Sequence, residues 1–135
     1  MELQVGVKIL LQNNEGKYLV IHRSATKYPE VKEPWDIVGG RITPGTPLLE
    51  NLQREVTEET QLTIVGEPRL VAAQDILRVP GRHVVRLTYV GQTEGELVLD
   101  TEENDEHQWL TVEELKNLSG FDQYAHALLV AGKLQ

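Results

Sequence analysis

The order of apolar and polar positions divides the chain into strands and helices before any chemistry is considered. "LQVGVKILLQ" (Leu3–Gln12) and "KYLVIHR" (Lys17–Arg23) read as two strands, and Asn13-Asn14-Glu15-Gly16 between them is a hairpin signal. Ser24–Pro34 has no periodicity and contains two prolines, so it reads as a loop. "WDIV" (Trp35–Val38) is a short strand ending at Gly39-Gly40. A loop with Pro44 and Gly45 leads into a helix from about Pro47 to Thr60. Thr46 is its expected N-cap, and Pro47 the first helical residue, where a missing N–H costs nothing. Strand material follows at Thr63–Val79 and at His83–Thr93, which is entered through Pro80-Gly81. The acidic run Asp100–Glu106 reads as a loop, and helices are expected over Thr111–Asn117 and about Phe121–Ala131. Strands, a helix, strands and helices in that order predict a mixed α/β (α+β) fold, with helices on the faces of a mixed sheet.

The first helix carries Glu55, Glu58 and Glu59 within five positions. With Glu55 at zero on a wheel of ~100° per residue, Leu48, Leu49, Leu52 and Val56 span ~20° to ~120°, the expected core stripe. Glu58 falls near about −60° and Glu59 near about +40°, inside the range of the leucines. Like charges at these spacings repel by a few tenths of a kcal/mol per pair. A carboxylate at a core margin is costly unless paired or metal-bound. Arg54, near about −100°, lies beside Glu58 and away from Glu59, and one guanidinium cannot neutralise all three. The cluster is either a solvated acidic face or a site for a hard divalent cation, which carboxylates and substrate phosphates commonly hold together. The placement of Glu59 and the preceding Gly-Gly turn favour the cation.

Composition narrows the partners. The 135 residues suit one domain, taken as residues 1–135, with length enough for a core. A net charge of −8 argues against a polymeric nucleic-acid partner but admits a phosphorylated small molecule bridged by a cation. The sequence has no cysteine, which excludes disulfides and thiolate metal sites and suits a cytoplasmic address. No apolar run approaches the roughly 18 residues of a membrane span. The N-terminus has no basic n-region, so no secretory signal is expected. No phosphate-loop, nucleophile-elbow or dinucleotide-binding motif is present. His22, His107 and His126 lack metal-ligand spacing and are given no role.

Gly40, Arg54-Glu55-Val56-Thr57-Glu58-Glu59 and Leu62 together resemble the Nudix box of the MutT-like hydrolases. That pattern is Gly, five residues, Glu, seven residues, then Arg-Glu-aliphatic-any-Glu-Glu-any-Gly-aliphatic, and the spacing from Gly40 to Arg54 fits without a gap. Thr46 stands at the pattern's first Glu and Gln61 at its final Gly. The resemblance implies the Nudix fold, an α/β/α sandwich around a mixed central β-sheet. It also implies a Mg²⁺-dependent enzyme (Mn²⁺ as the alternative) that splits a nucleoside diphosphate linked to a further group. Glu55, Glu58 and Glu59 would hold the metal with the Gly39 carbonyl, and Arg54 would orient the carboxylates. In the family the first Glu anchors that arginine, so Thr46 would forfeit an ion pair while still capping the helix. Gln61 must leave the helix without glycine's freedom, a cost of roughly 1 kcal/mol if a left-handed conformation is needed.

"EENDEHQWL" resembles the family's loop that adds a further carboxylate. Glu103, six residues before Trp109, is the expected extra ligand or general base, with Glu106 in reserve. Arg23 and Lys27 are candidates for phosphates and Trp35 for stacking on a base, although a core tryptophan fits that position as well. Phe121 and Tyr124 read as core, and nothing sets His83 or Arg86 apart from ordinary strand residues. A (deoxy)nucleoside triphosphate is the favoured substrate, with ADP-ribose or a dinucleoside polyphosphate open. Thr46 and Gln61 also keep open a Nudix-fold nucleotide-binding or regulatory module with weakened turnover. The exposed edge of a small sheet permits a homodimer that no residue specifies.

Overall fold

The computed structural model describes residues 1–134. Its elements are β1 (Glu2–Gln12), β2 (Tyr18–Arg23), β3 (Trp35–Asp36), β4 (Val38–Arg41), α1 (Leu48–Thr60), β5 (Thr63–Ile76), β6 (Arg82–Glu94), β7 (Asn104–Leu110), α2 (Val112–Lys116) and α3 (Gln123–Val130). β1 and β2 form the expected hairpin but stay paired only at its closed end, Gln12 opposite Tyr18. Beyond that point they splay, and each takes other partners. β1 pairs in parallel with β6 from Glu2↔Arg82 to Gln12↔Gln92 and antiparallel with β4. β2 pairs antiparallel with β3 and β7. β5 lies outside β6, bulged between Val65 and Arg69.

Period-two alternation sorts the central strands between two cores. Val7, Ile9 and Leu11 of β1, with Leu19 and Ile21 of β2, pack beneath Leu52 and Val56 of α1. Leu10, Tyr18 and Val20 face the other way, onto Leu115 of α2 and Phe121, Ala125 and Leu129 of the α3 segment. Helices thus cover both faces of one mixed sheet. Among the described residues no helix is long and apolar enough to cross a membrane.

Four local expectations are corrected. The strand expected over Trp35–Val38 breaks at Ile37 and continues through Gly39-Gly40 to Arg41, because the chain crosses there from the edge of β2 to that of β1. The acidic run is not all loop: Asn104–Glu106 opens β7, since backbone pairing with His22 and Arg23 overrides its weak strand propensity. Thr46 does not cap α1; Pro47 holds that position, and a proline side chain has no hydrogen-bonding group to cap with. Leu48 and Leu49 are exposed although the wheel puts them on the core face, because nothing covers the first turn there. Asn51 takes the inward place in that turn, with 0% exposure.

Candidate active site

The last turns of α1 face the strand turn that precedes the helix. Glu59 is 7% exposed, and its Oε2 accepts the Gly39 N–H at 3.0 Å. Burial pushes its carboxyl up to about 7 against the opposing pull of Lys8, the Gly39 N–H and Arg23. Glu55 is also raised by burial, with Arg54 pulling the other way. The two glycines make this approach available. Any side chain on Gly39, at φ 146°, would strike the Val7 carbonyl, and a Cβ on Gly40 would lie 2.8 Å from the Glu55 carboxyl carbon. Glu58 is exposed, and its charge helps to raise the Glu55 carboxyl.

Among the described residues, no three His, Cys, Asp or Glu side chains are grouped closely enough to chelate an ion. The box carboxylates are near enough for their charges to raise one another, Glu58 acting on Glu55 and Glu55 on Glu59. Their chemistry nevertheless fits a hard divalent cation. The donors are all oxygen, two of them are desolvated beyond what the local cations offset, and the glycine turn leaves room beside them.

A charged cleft adjoins this site. Asp36 accepts hydrogen bonds from Lys8 Nζ at 3.0 Å and Arg23 Nη2 at 3.3 Å. Burial opposes its ionisation, but Lys8, Arg86 and Arg23 outweigh that effect and hold the carboxyl at about 2. Arg86, 4% exposed on β6, lies with Nη2 2.7 Å from Asp122 Oδ2. The approach is close but poorly aligned for a hydrogen bond, and Arg86 Nε has no partner among the described residues. Asp122 also caps α3 by accepting the Ala125 N–H at 2.9 Å. Two cavities, of about 220 Å³ and about 600 Å³, adjoin along Arg23, Asp36, Arg78 and Asp122, and the smaller reaches Gly39-Gly40.

The sequence-derived candidates fall into separate groups. Glu55, Glu59 and Gly39 come together, and Arg23 enters the cleft beside them. Arg54 lies at the rim, its Nη2 3.2 Å from Glu55 Oε1. Glu103 is held from the loop after β2, accepting hydrogen bonds from Lys27 Nζ and Tyr28 Oη, which keep its carboxyl below the usual range. Lys27 and Trp35 line neither cavity; the Trp35 ring meets that of His22 edge-on at 4.8 Å. Glu106 is exposed on β7. Phe121 is buried, whereas Tyr124 lies under the guanidinium groups of Arg78 and Arg86.

Sequence reasoning passed over Lys8, Tyr28, Asp36, Asn51, Arg86 and Asp122. One signal was present for Arg86. It alternates with Val84 and Thr88, so on a strand it must share their buried face, and a buried arginine needs an anionic partner.

A family model described as NUDIX domain matches residues 2–129. No curated protein matches the chain significantly. Among solved structures, a MutT protein from Methanosarcina mazei Go1 is 23% identical, with a TM-score of 0.80 over 96% of this chain and 91% of that one. A MutT NUDIX hydrolase from Burkholderia pseudomallei is 19% identical, with a TM-score of 0.80 over 96% and 98%. The E. coli ORF135 protein is 22% identical, with a TM-score of 0.80 over 99% and 91%. At these identities the structures establish the shared fold, while the family match runs through the carboxylate helix and its glycine turn; the chain belongs to the Nudix hydrolase family.

Proposed function

We propose that this chain is a divalent-cation-dependent pyrophosphohydrolase of nucleoside diphosphate derivatives, with a (deoxy)nucleoside triphosphate as the favoured substrate. The observation that carries the reading is the desolvated pair Glu55 and Glu59 packed on the Gly39-Gly40 turn, which itself lines a cleft with Lys8, Arg23, Arg78 and Arg86. Glu55, Glu58, Glu59 and the Gly39 carbonyl would hold Mg²⁺ or Mn²⁺. Such an ion, when bound, supplies neutralisation of the diphosphate and a lowered pKa for water. Arg23, which lines the cleft and shares Asp36 with Lys8, would meet a phosphate there. Arg54 steadies Glu55 from the rim. Glu103, kept ionised by Lys27 and Tyr28, would serve as a further ligand or as the general base, the two donors weakening it for the second role.

One observation favours a second reading, a nucleotide-binding module without turnover: the acidic side chains do not already form a chelating group among the described residues. Incubation with Mg²⁺ and a panel of dNTPs, oxidised dNTPs, ADP-ribose and diadenosine polyphosphates, followed by ³¹P NMR, separates the two. Cleavage that needs Mg²⁺ and disappears in Glu59→Gln supports the hydrolase, and the products name the substrate class. Mg²⁺-dependent binding with no product on any member overturns it in favour of the module.

A further inference from the structure

The box of this chain has Thr46 where an acidic residue would hold Arg54, yet Arg54 is not left loose. Its Nη2 donates to Asn51 Oδ1 at 3.2 Å and approaches the Arg41 carbonyl at 3.4 Å and Glu55 Oε1 at 3.2 Å. Asn51 is a polar residue with 0% exposure in the first turn of α1, and every hydrogen-bonding position it uses is directed at the entry to the site. Its Oδ1 also accepts the Thr43 N–H at 3.0 Å, and its Nδ2 donates to the carbonyls of Thr46 at 2.8 Å and Pro47 at 2.9 Å. The bonds to the Thr46 and Pro47 carbonyls fasten the entering loop to the first turn of the helix. The bond to Arg54 does something else. The Arg54 side chain is 41% exposed, so packing alone does not fix it, and the same Nη2 meets both Asn51 and Glu55.

We propose that Asn51 is a positioning residue for the hydrolytic site: it ties the Thr43–Pro47 loop to α1 and holds Arg54 against Glu55, the role left vacant by Thr46. The inference rests on the hydrolase reading for its kinetic consequence, but the placement of Arg54 does not. Thr46 adjoins Asn51 through the 2.8 Å bond from Nδ2 to its carbonyl, and position 46 is where the Nudix pattern has the glutamate that anchors this arginine. Outer partners of this kind typically change metal affinity or turnover by about 10- to 100-fold.

The test compares wild type, Asn51→Ala, Thr46→Glu and the double variant. Turnover, Mg²⁺ half-saturation and the ¹⁵N resonance of the Arg54 side chain in metal-free protein are measured for each. Asn51→Ala is expected to lower kcat and raise Mg²⁺ half-saturation by about 10-fold or more, with KM changing far less, and to release the restricted Arg54 signal. Thr46→Glu in the Asn51→Ala background is expected to restore both the signal and most of kcat. A fall in melting temperature with kcat and the Arg54 signal intact in the folded fraction would make Asn51 purely structural and overturn the proposal, as would failure of Thr46→Glu to rescue. If Asn51→Ala does not fold, Asn51→Asp decides. It keeps the acceptor for Arg54 and loses the donor to the loop, so a restricted signal with lowered stability supports positioning, and a released signal refutes it. If the wild type cleaves nothing, the hydrolase reading fails while the metal-free signal still decides whether Asn51 holds Arg54.

Discussion

Two carboxylates that answer to the same cations, half-buried Asp36 and buried Glu59, behave oppositely. Asp36 sits at about 2 and Glu59 at about 7, and for both the largest single influence is burial, which favours the neutral acid. The difference lies in the cations. Lys8 and Arg23 both hydrogen-bond to Asp36, and Arg86 adds its charge, whereas Glu59 receives one backbone N–H and only the distant influence of the same cations. The protein has spent its own positive charge on Asp36. Glu59 is left with an electrostatic deficit that a bound divalent ion would fill, and this contrast, more than burial, distinguishes the proposed ligand from its neighbour.

The strongest test of that contrast removes the satisfied member. Asp36→Asn leaves Lys8, Arg23 and Arg86 without their shared anion and is expected to cost about 3–5 kcal/mol, read as a fall in urea midpoint at pH 7. An unchanged midpoint would mean that Asp36 does not organise the cleft.

The second test uses pH in metal-free protein. The folded-state pKa of Glu59 is raised above its unfolded value, so between about pH 4.5 and 7 the native state binds more protons and stability falls as pH rises. The expected loss is roughly 3 kcal/mol across that window, and Glu59→Gln should abolish its slope. Asp36 acts with the opposite sign and lower down: its depressed pKa contributes stability above about 3.8 that is lost as pH falls through about 2. Urea titrations at stepped pH, with EDTA present, separate the two windows.

Adding Mg²⁺ should reverse the Glu59 penalty. At 100 times its dissociation constant the ion stabilises the native state by about 2.7 kcal/mol, an effect that calorimetry would detect and Glu59→Gln should largely remove. The smallest change expected is at the helix exit. Gln61, the only non-glycine at positive φ among the described residues, has φ 59° and ψ 14°, and Gln61→Gly should stabilise the fold by about 1 kcal/mol in thermal melts. No gain there would mean that the Gln61 side chain repays its own strain.

The box was legible because it is local. Three carboxylates on one arc of a helix, with a Gly-Gly turn before it, fix their own spacing through helical geometry. The β1–β2 hairpin and the exit strain at Gln61 were legible for the same reason. What escaped depended on contacts far apart in the chain. Arg86 meets Asp122, and Tyr28 meets Glu103 across 75 positions, which no local pattern encodes. The strand beginning at Asn104 was hidden because its acidic composition argues for a loop, and only pairing with β2 makes it a strand. Asn51 was overlooked because a polar residue on a helical wheel defaults to the surface, and the backbone groups it bonds at Thr43, Thr46 and Pro47 precede the helix.

The parallel ladder between β1 and β6 has a consequence for how the chain is made. Every residue of β1 pairs with one 80 positions later, so the central strand leaves the ribosome long before its main partner exists. Until β6 is synthesised, one whole edge of β1 stays open, because the short β4 and one end of β2 pair along its other edge. Long-range parallel pairing of this kind forms slowly and leaves apolar strand exposed meanwhile. The part of the fold that later braces the active site is therefore the part most exposed to misassembly during synthesis.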